Sequence, residues 1–196
     1  MKLSHIALTT TWVLTLGAGV VLAHDLSNLS SLRNRLVASL KPTEEVPLVS
    51  SVARGTFKAT IDEDNQVITY ELSYEGLEAA PTQAHIHVGQ RNVNGGVSVF
   101  LCGNGTNVPP ANFPQPQACP PAPATITGEI RPANIVGPGG QGIAPSVGGV
   151  NEFAELVAVL RNGDTYANVH SAKFPGGEVR GQVFALIGGN KGDKDD

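Results

Sequence analysis

Gly55-Thr-Phe-Lys-Ala-Thr-Ile61, Asp62-Glu-Asp-Asn65 and Gln66-Val-Ile-Thr-Tyr-Glu-Leu72 form the stretch of sequence that decides the fold. Small or apolar residues alternate with polar ones in the first segment, as they do in a half-buried strand. The returning segment is rich in the β-branched and aromatic residues that strands favour. The acidic segment between them ends in Asn65 and has the composition of a turn. The stretch therefore predicts a β-hairpin.

Similar short strand patterns recur along most of the remaining chain. They predict strands at 36–40, 84–88, 97–102, 125–130, 153–160, 165–171 and 178–185. Asn162-Gly163, between two of these segments, is the strongest short hairpin signal and predicts a second hairpin. About eight strands, joined by long glycine- and proline-rich loops, predict an all-β fold. We expect an antiparallel Greek-key or immunoglobulin-like β-sandwich or barrel over residues 36–187.

The first residues have the pattern of an export signal. Lys2 precedes an apolar run from Ile6 to Leu22, and Ala23 is a small residue suited to signal peptidase. We predict a signal peptide over 1–23 and a mature chain that begins at His24. The alternative is an uncleaved membrane anchor, but the run is short and contains several Thr and Gly residues. An exported protein with no later membrane span is expected, either secreted, periplasmic or on the cell surface.

The two ends of the mature chain differ from its middle. Leucines at 26, 29, 32 and 36 recur at nearly helical spacing, so residues 24–35 are predicted to be a leader with a short helix or a loose segment. Residues 188–196 have no apolar pattern and are predicted to be a disordered charged tail.

The charge of the mature chain excludes some classes of partner. Removing Lys2 from the 13 basic residues leaves 12 against 17 acidic ones, a net charge of −5. Nucleic-acid binding needs a basic surface, so no nucleic acid is expected as a partner. We expect instead an extracellular protein or polysaccharide.

Cys102 and Cys119 are the two cysteines of the chain. In an exported protein an even number of cysteines favours disulfide pairing. By loop-closure entropy this bridge would contribute on the order of 3 kcal/mol. The alternative is a metal site, but the cysteines are far apart and no histidine lies between them.

Three histidines fall on two predicted strands. His85 and His87 are two residues apart, so they share one strand face, opposite Ala84, Ile86 and Val88. On a later strand His170 shares a face with Tyr166 and Asn168. Neutral imidazoles are good ligands for copper and zinc, and three of them resemble a catalytic zinc site in number. These histidines are therefore a candidate metal site on the faces turned away from the core.

The surroundings of this site leave several interpretations open. Asn168 or Glu178 could orient an imidazole through its second nitrogen. The imidazoles could instead bond to loop carbonyls and anchor the long loops. His24 would add a free amine and an imidazole that resemble the histidine brace of copper monooxygenases, if it is not simply an exposed terminus. Glu178 and Arg180 share a strand face, either as a recognition site or as an ion pair.

Five segments resemble one protein family. They are Glu44-Glu-Val-Pro47, Ala53-Arg-Gly55, Ala84-His-Ile-His-Val-Gly89, Asn168-Val-His170 and Pro175-Gly-Gly-Glu-Val-Arg-Gly-Gln182. Their order resembles that of the CHRD domain, which is named after repeats in chordin and is also found in exported bacterial proteins. The resemblance implies an immunoglobulin-like sandwich or barrel and no established enzyme activity. It favours a binding or structural module.

A second resemblance is to copper–zinc superoxide dismutase. In that family a strand His-x-His supplies two copper ligands and a later strand supplies another, the order of His85, His87 and His170. No histidine lies between 87 and 170, so the bridging histidine and the zinc-site histidines have no counterpart. The alternative function is thus a copper- or zinc-binding protein with a three-histidine site, such as a dismutase-like redox protein. No catalytic residue is assigned, because no Gly-x-Ser-x-Gly motif is present.

Overall fold

The computed structural model describes Leu29 and residues 31–186. The predicted signal peptide, its cleavage site, His24 and the predicted tail at 188–196 lie outside the described residues. Residues 31–33 are helical and lead directly into the first strand. No helix in the described ranges is long and apolar enough to cross a membrane.

Eight antiparallel strands form one sheet that curls into a nearly closed barrel, as the sequence predicts for an all-β fold. In chain order these strands are β1 (Arg35–Leu40), β2 (Arg54–Asp62), β3 (Val67–Glu75), β4 (Pro81–Val88), β5 (Gly96–Gly103), β6 (Ala124–Ile130), β7 (Thr165–Ser171) and β8 (Val179–Ala185). Their order across the sheet is β5-β4-β7-β8-β1-β2-β3-β6. Strand β4 therefore lies between β5 and β7, which brings distant parts of the sequence together.

The hairpin predicted from residues 55–72 is confirmed. Strands β2 and β3 pair along their whole length, from Arg54 opposite Glu75 to Asp62 opposite Val67. The alternation places Phe57, Ala59 and Ile61 in the core, while the residues between them face outward. Burying one face of each strand fixes this register, because a slip of one residue would expose the whole apolar set.

The prediction of a second hairpin is wrong for its first strand. Residues Phe153–Asn162 form an α-helix, α1, rather than a strand. Phe153, Leu156, Val157 and Leu160 are buried on one side of α1, a spacing of three and four residues that suits a helix. Gly163 ends the helix with φ +76° and donates its N–H to the carbonyl oxygen of Leu160. The Asn-Gly pair thus terminates a helix here rather than forming the turn of a hairpin.

Side chains bridge the gap between the two end strands of the sheet, β5 and β6. The hydroxyl of Tyr70, on β3, donates to the carbonyl oxygen of Leu101, on β5, at 2.7 Å. Gln117 donates both to that hydroxyl and to the carbonyl oxygen of Thr127, on β6. A disulfide joins Cys102 to Cys119, as the sequence predicts. These links hold the loop between β5 and β6 against the barrel.

Three short 3-10 helices lie in the connections, at Pro42–Glu44, Pro132–Asn134 and Gly139–Gln141. The first belongs to a segment that contacts β8. The backbone of Lys41 exchanges two hydrogen bonds with that of Arg180, which fixes the segment to β8. This connection, from Lys41 to Ala53, carries Glu45 to the neighbourhood of the histidines.

Candidate metal centre

The pairing of β4 with β7 brings the three predicted histidines together. His170 on β7 lies opposite Gln83, two residues before His85 on β4. Asn168 lies opposite His85, and Tyr166 lies opposite His87. Since side chains alternate along each strand, all of these residues project from the same face of the sheet, away from Ile86 and the barrel core.

Distances between the imidazoles fit a single metal ion. One nitrogen from each of His85, His87 and His170 can be chosen so that all three lie within 4.8 Å of one another. Nδ1 of His85 lies 3.2 Å from Nε2 of His170. Two nitrogens bound at 2.0–2.1 Å to one tetrahedral zinc ion would be about 3.3 Å apart. The spacing of this pair therefore already matches one edge of a tetrahedral site.

Backbone carbonyl groups fix the tautomers of two of the rings. Nδ1 of His87 donates to the carbonyl oxygen of Gly95 at 3.0 Å, and Nδ1 of His170 donates to that of Pro175 at 2.8 Å. Each ring therefore keeps its lone pair on Nε2. Metal-binding histidines usually have this arrangement, in which the second nitrogen bonds to a carbonyl or carboxylate. The predicted loop-anchoring bonds and the candidate metal site thus use different nitrogens of the same rings.

Two of the imidazole nitrogens are buried without a partner. Nε2 of His85 and Nε2 of His87 have no hydrogen-bond partner among the described residues. A buried polar atom without a partner costs about 1–3 kcal/mol, so such atoms in native proteins call for an explanation. A metal ion held by Nε2 of His87 and Nδ1 of His85 would satisfy the first of these nitrogens and would leave Nε2 of His85 to carry the proton of its ring.

The histidine face is buried, although the sequence places it on the side away from the core. The exposed fractions of His85, His87 and His170 are 2%, 8% and 6%. Loops between strands cover this face, and they include Gly95 and Pro175, whose carbonyl groups bind the imidazoles. The ring of Phe100 on β5 packs edge-on against the ring of His85, with 4.4 Å between the ring centroids. The centre is therefore enclosed by loops on one side and by the sheet on the other.

Burial keeps the three imidazoles neutral. Desolvation, with smaller repulsion from the other imidazoles, lowers the pKa of His85 from 6.5 to about 2. Desolvation also lowers the pKa of His87 to about 4, and it lowers the pKa of His170. Metal ions bind the neutral form of histidine. At neutral pH no proton has to leave these rings before a metal ion binds.

Arg180 and Tyr166 form a stack against one side of the centre. The ring of Tyr166 lies parallel to that of His87, with 4.6 Å between the centroids. On β8 the guanidinium carbon of Arg180 lies 3.4 Å from the centroid of the Tyr166 ring. Cations are attracted to the face of an aromatic ring, and more strongly where water is excluded. Sequence reasoning named Arg180 and noted that Tyr166 shares the face of His170, but it did not predict the stack.

Arg180 and Glu178 do not form the ion pair that was one of the two expectations for them. Arg180 donates to Asn94 and to two backbone carbonyl groups of the loop between β4 and β5. The carboxylate of Glu178 accepts from the hydroxyl of Ser51 and the backbone N–H of Glu78. Both side chains are buried, and their observed partners link loops to the sheet.

Glu45 is a buried carboxyl group within the Glu44-Glu-Val-Pro47 segment, and the sequence assigns it no role of its own. It packs so closely against Gly177 that a side chain at that position would collide with the carboxyl group. Its Oε1 atom has no hydrogen-bond partner among the described residues. Desolvation raises the pKa of Glu45 from 4.5 to about 7, and attraction to Arg180 opposes part of this rise. The Glu-Glu-Val-Pro segment was the only signal in the sequence that pointed to this position.

Asn168 is the remaining predicted site residue within the described part of the chain. It is buried opposite His85, and its Oδ1 atom has no hydrogen-bond partner in residues 31–186. A side-chain interaction with Asn168 favours the protonated form of His85, opposing the larger effect of desolvation on the pKa. The same interaction acts on His87, so Asn168 lies close to both rings, and its role in orienting an imidazole stays a prediction.

Comparison with known families agrees with this architecture. The model of the CHRD domain matches residues 36–183, which is most of the chain. The chain therefore belongs to the CHRD domain family. No curated protein and no solved structure shows a significant match to it.

Proposed function

We propose that this CHRD domain binds one transition-metal ion, copper or zinc, through His85, His87 and His170. The observation that carries the proposal is the arrangement of the imidazole nitrogens and of their hydrogen bonds. Two rings, those of His87 and His170, are held by carbonyl groups with the lone pair on Nε2, and one nitrogen from each of the three rings can be chosen so that all lie within 4.8 Å of one another. A purely structural role for the imidazoles would explain the carbonyl bonds, but it gives no reason for three neutral imidazole nitrogens to converge in one buried place.

The bound ion would replace the hydrogen bond between His85 and His170. In the structure Nε2 of His170 accepts from Nδ1 of His85, since the other nitrogen of His170 donates to Pro175. For His85 to bind the ion through Nδ1, its proton would move to Nε2. The unpartnered Oδ1 of Asn168 is the acceptor available to the shifted proton. The chain thus supplies the ligands and an acceptor for the displaced proton.

Elemental analysis of the purified, tag-free protein tests this proposal. The protein would be dialysed against copper or zinc and then against metal-free buffer, beside the triple variant His85→Ala/His87→Ala/His170→Ala. We expect about one metal ion per chain in the natural protein and none in the triple variant. Gln182→Leu is the matched control, because Gln182 is buried on the same sheet face and bonds only to carbonyl groups of loops. Absence of metal from the natural protein would overturn the proposal.

We also propose that the domain is exported and acts as a binding or structural module. The disulfide between Cys102 and Cys119 supports export, because such bonds persist in oxidising compartments. The expected partner is an extracellular protein or polysaccharide, and the loop that contains Leu48 and Val52 is exposed to such a partner. Mass spectrometry of the protein from the producing cell should show a chain that begins at His24. A chain that retains residues 1–23 would contradict the predicted signal cleavage.

A further inference from the structure

The stack of Arg180 and Tyr166 places a positive charge one aromatic ring away from a proposed ligand. The guanidinium lies on one face of Tyr166, and the ring of His87 lies parallel to Tyr166. A fixed charge this close to a metal ion acts on it through a protein interior, where electrostatic interactions are stronger than in water. Its influence depends on the charge of the ion, so it can distinguish one oxidation state from another.

Hydrogen bonds hold the guanidinium of Arg180 in this position. It donates to Oδ1 of Asn94 at 3.1 Å and to the carbonyl oxygens of Val93 at 2.8 Å and Gln90 at 3.3 Å. Arg180 is buried, and among residues 31–186 it forms no ion pair with a carboxylate. Its charge is therefore fixed in place and is not cancelled by a partner in direct contact.

The proposed ligands carry no negative charge to balance the ion. The cluster consists of three imidazoles, with neither a carboxylate nor a thiolate among the grouped residues. A divalent ion would keep its full charge of +2 in a buried site beside a cation, whereas a monovalent ion would keep only +1. Burying charge without compensation is costly, and the cost rises with the charge.

We propose that Arg180, stacked on Tyr166, makes the three-histidine site selective for monovalent copper over divalent copper and zinc. This inference rests on the proposed function, because it concerns the same three histidines. Arg180 is a positioning and tuning residue in this proposal, since it contacts Tyr166 rather than the ion. Three neutral nitrogen ligands suffice for monovalent copper, which accepts a coordination number of three. Of the two carboxyl groups that attract Arg180, Glu45 has the larger effect and Glu44 the smaller, so the charge of Glu45 should oppose that of Arg180.

Paired affinity measurements on the whole protein test the inference. The affinity for Cu(I) would be measured without oxygen by competition with bicinchoninate, and that for Cu(II) by competition with nitrilotriacetate. Arg180→Gln should lower the ratio of Cu(I) to Cu(II) affinity at least tenfold, which corresponds to a fall of 59 mV in the one-electron reduction potential. Arg180→Lys keeps the charge and should retain most of the ratio.

Two further variants separate a charge effect from a loss of structure. Lys58→Gln removes one positive charge from an exposed ion pair with Glu71 and should leave the ratio unchanged. Glu45→Gln, measured at pH 8, should raise the ratio, which a merely structural role would not do. Because Glu45→Gln should change the affinity ratio in the opposite direction from Arg180→Gln, it still tests the proposal if Arg180→Gln fails to fold.

The outcomes distinguish the two proposals. If the natural protein binds copper but the affinity ratio is unchanged in both Arg180→Gln and Glu45→Gln, the selectivity proposal is overturned and the metal site stands. Stronger binding of zinc than of Cu(I) in the natural protein would also overturn it. If the natural protein binds neither copper nor zinc, both proposals fall together.

Discussion

His85 and His170 are 85 residues apart in sequence, yet their imidazole nitrogens Nδ1 and Nε2 lie 3.2 Å apart. The contact exists because β4 and β7 are neighbours in the sheet, although two strands and a helix lie between them in the chain. One hydrogen bond joins the two rings. An ion in its place would connect the same two strands through shorter and stronger bonds, so metal binding should be coupled to the stability of the barrel.

Metal binding should raise the melting temperature. A ligand that binds only the folded state at 100 times its dissociation constant adds about 2.7 kcal/mol to the free energy of unfolding. For a domain of this size that corresponds to roughly 5–10 °C. Differential scanning calorimetry with copper or zinc added should show this shift in the natural protein and none in the His85→Ala/His87→Ala/His170→Ala variant. An equal shift in both proteins would locate the stabilising ion elsewhere.

The metal-free protein should lose stability as the pH falls below about 6.5. The folded state holds His85, His87 and His170 neutral by lowering their pKa values, whereas an unfolded chain protonates them near their ordinary value. Between pH 6.5 and the folded pKa values, the unfolded state therefore binds more protons, and acid favours unfolding. Their contribution is fully present above pH 6.5 and decreases as the pH falls toward 4.

Urea unfolding in the presence of a chelator, at pH 8, 6.5 and 5, checks this expectation. The natural protein should lose stability over this range, after subtraction of the contribution from Glu45 described below. In the triple alanine variant that loss should be much smaller. If the histidine-free variant and the natural protein had the same pH dependence, the imidazoles would not be the groups responsible.

Replacing Glu45 by Gln should stabilise the protein above pH 7. Burial raises the pKa of Glu45 to about 7, so the fold prefers the protonated carboxyl group. Between pH 4.5 and 7 the folded state binds more protons than the unfolded state, and stability falls as the pH rises. The amide of Gln has the same shape and no charge. The expected gain at pH 8 is of the order of 1–3 kcal/mol, from the size of the pKa shift.

The pH dependence of the gain identifies its source. Urea unfolding should show the difference between Glu45→Gln and the natural protein at pH 8, and it should disappear near pH 4. Glu71→Gln is a suitable control, because Glu71 is an exposed partner of Lys58. A destabilised Glu45→Gln protein at pH 8 would mean that the ionised carboxylate contributes more to the fold than its burial costs.

Removing the disulfide should destabilise the domain without changing its fold. The bond between Cys102 and Cys119 closes a loop across 17 positions and attaches it beside β5. Loop-closure entropy predicts a loss of about 3 kcal/mol for the Cys102→Ala/Cys119→Ala variant. Chemical denaturation with and without a reducing agent measures this loss, and the variant should be insensitive to the reductant. If reduction left the natural protein equally stable, the entropic estimate would be wrong for this loop.

Local patterns in the sequence were sufficient to predict an all-β sandwich or barrel. They were also sufficient to place the three histidines on strand faces turned away from the core. Alternation with period two placed His85 and His87 on one face, and that argument needs no tertiary information. It failed for Phe153–Asn162, because a glycine with positive φ can end a helix as well as form a hairpin turn. The spacing of Phe153, Leu156 and Leu160 was the signal for the helix, and the stronger Asn-Gly signal concealed it.

The surroundings of the site could not be predicted in the same way. The burial of the histidines depends on loops that cover the outer face, and loop positions have no period in the sequence. Glu45 lies between Pro42 and Pro47, where no alternation reveals which side chains turn inward. The partners of Arg180 likewise come from the loop between β4 and β5, about ninety residues earlier in the chain.

The loops over the histidines also bear on how fast an ion can be exchanged. The carbonyl groups of Gly95 and Pro175 belong to these loops and bind the same rings that would hold the ion. An ion could then enter or leave only while a loop is lifted, so the residence time would follow the frequency of local opening. A domain built in this way would release a bound ion slowly, even to a strong chelator.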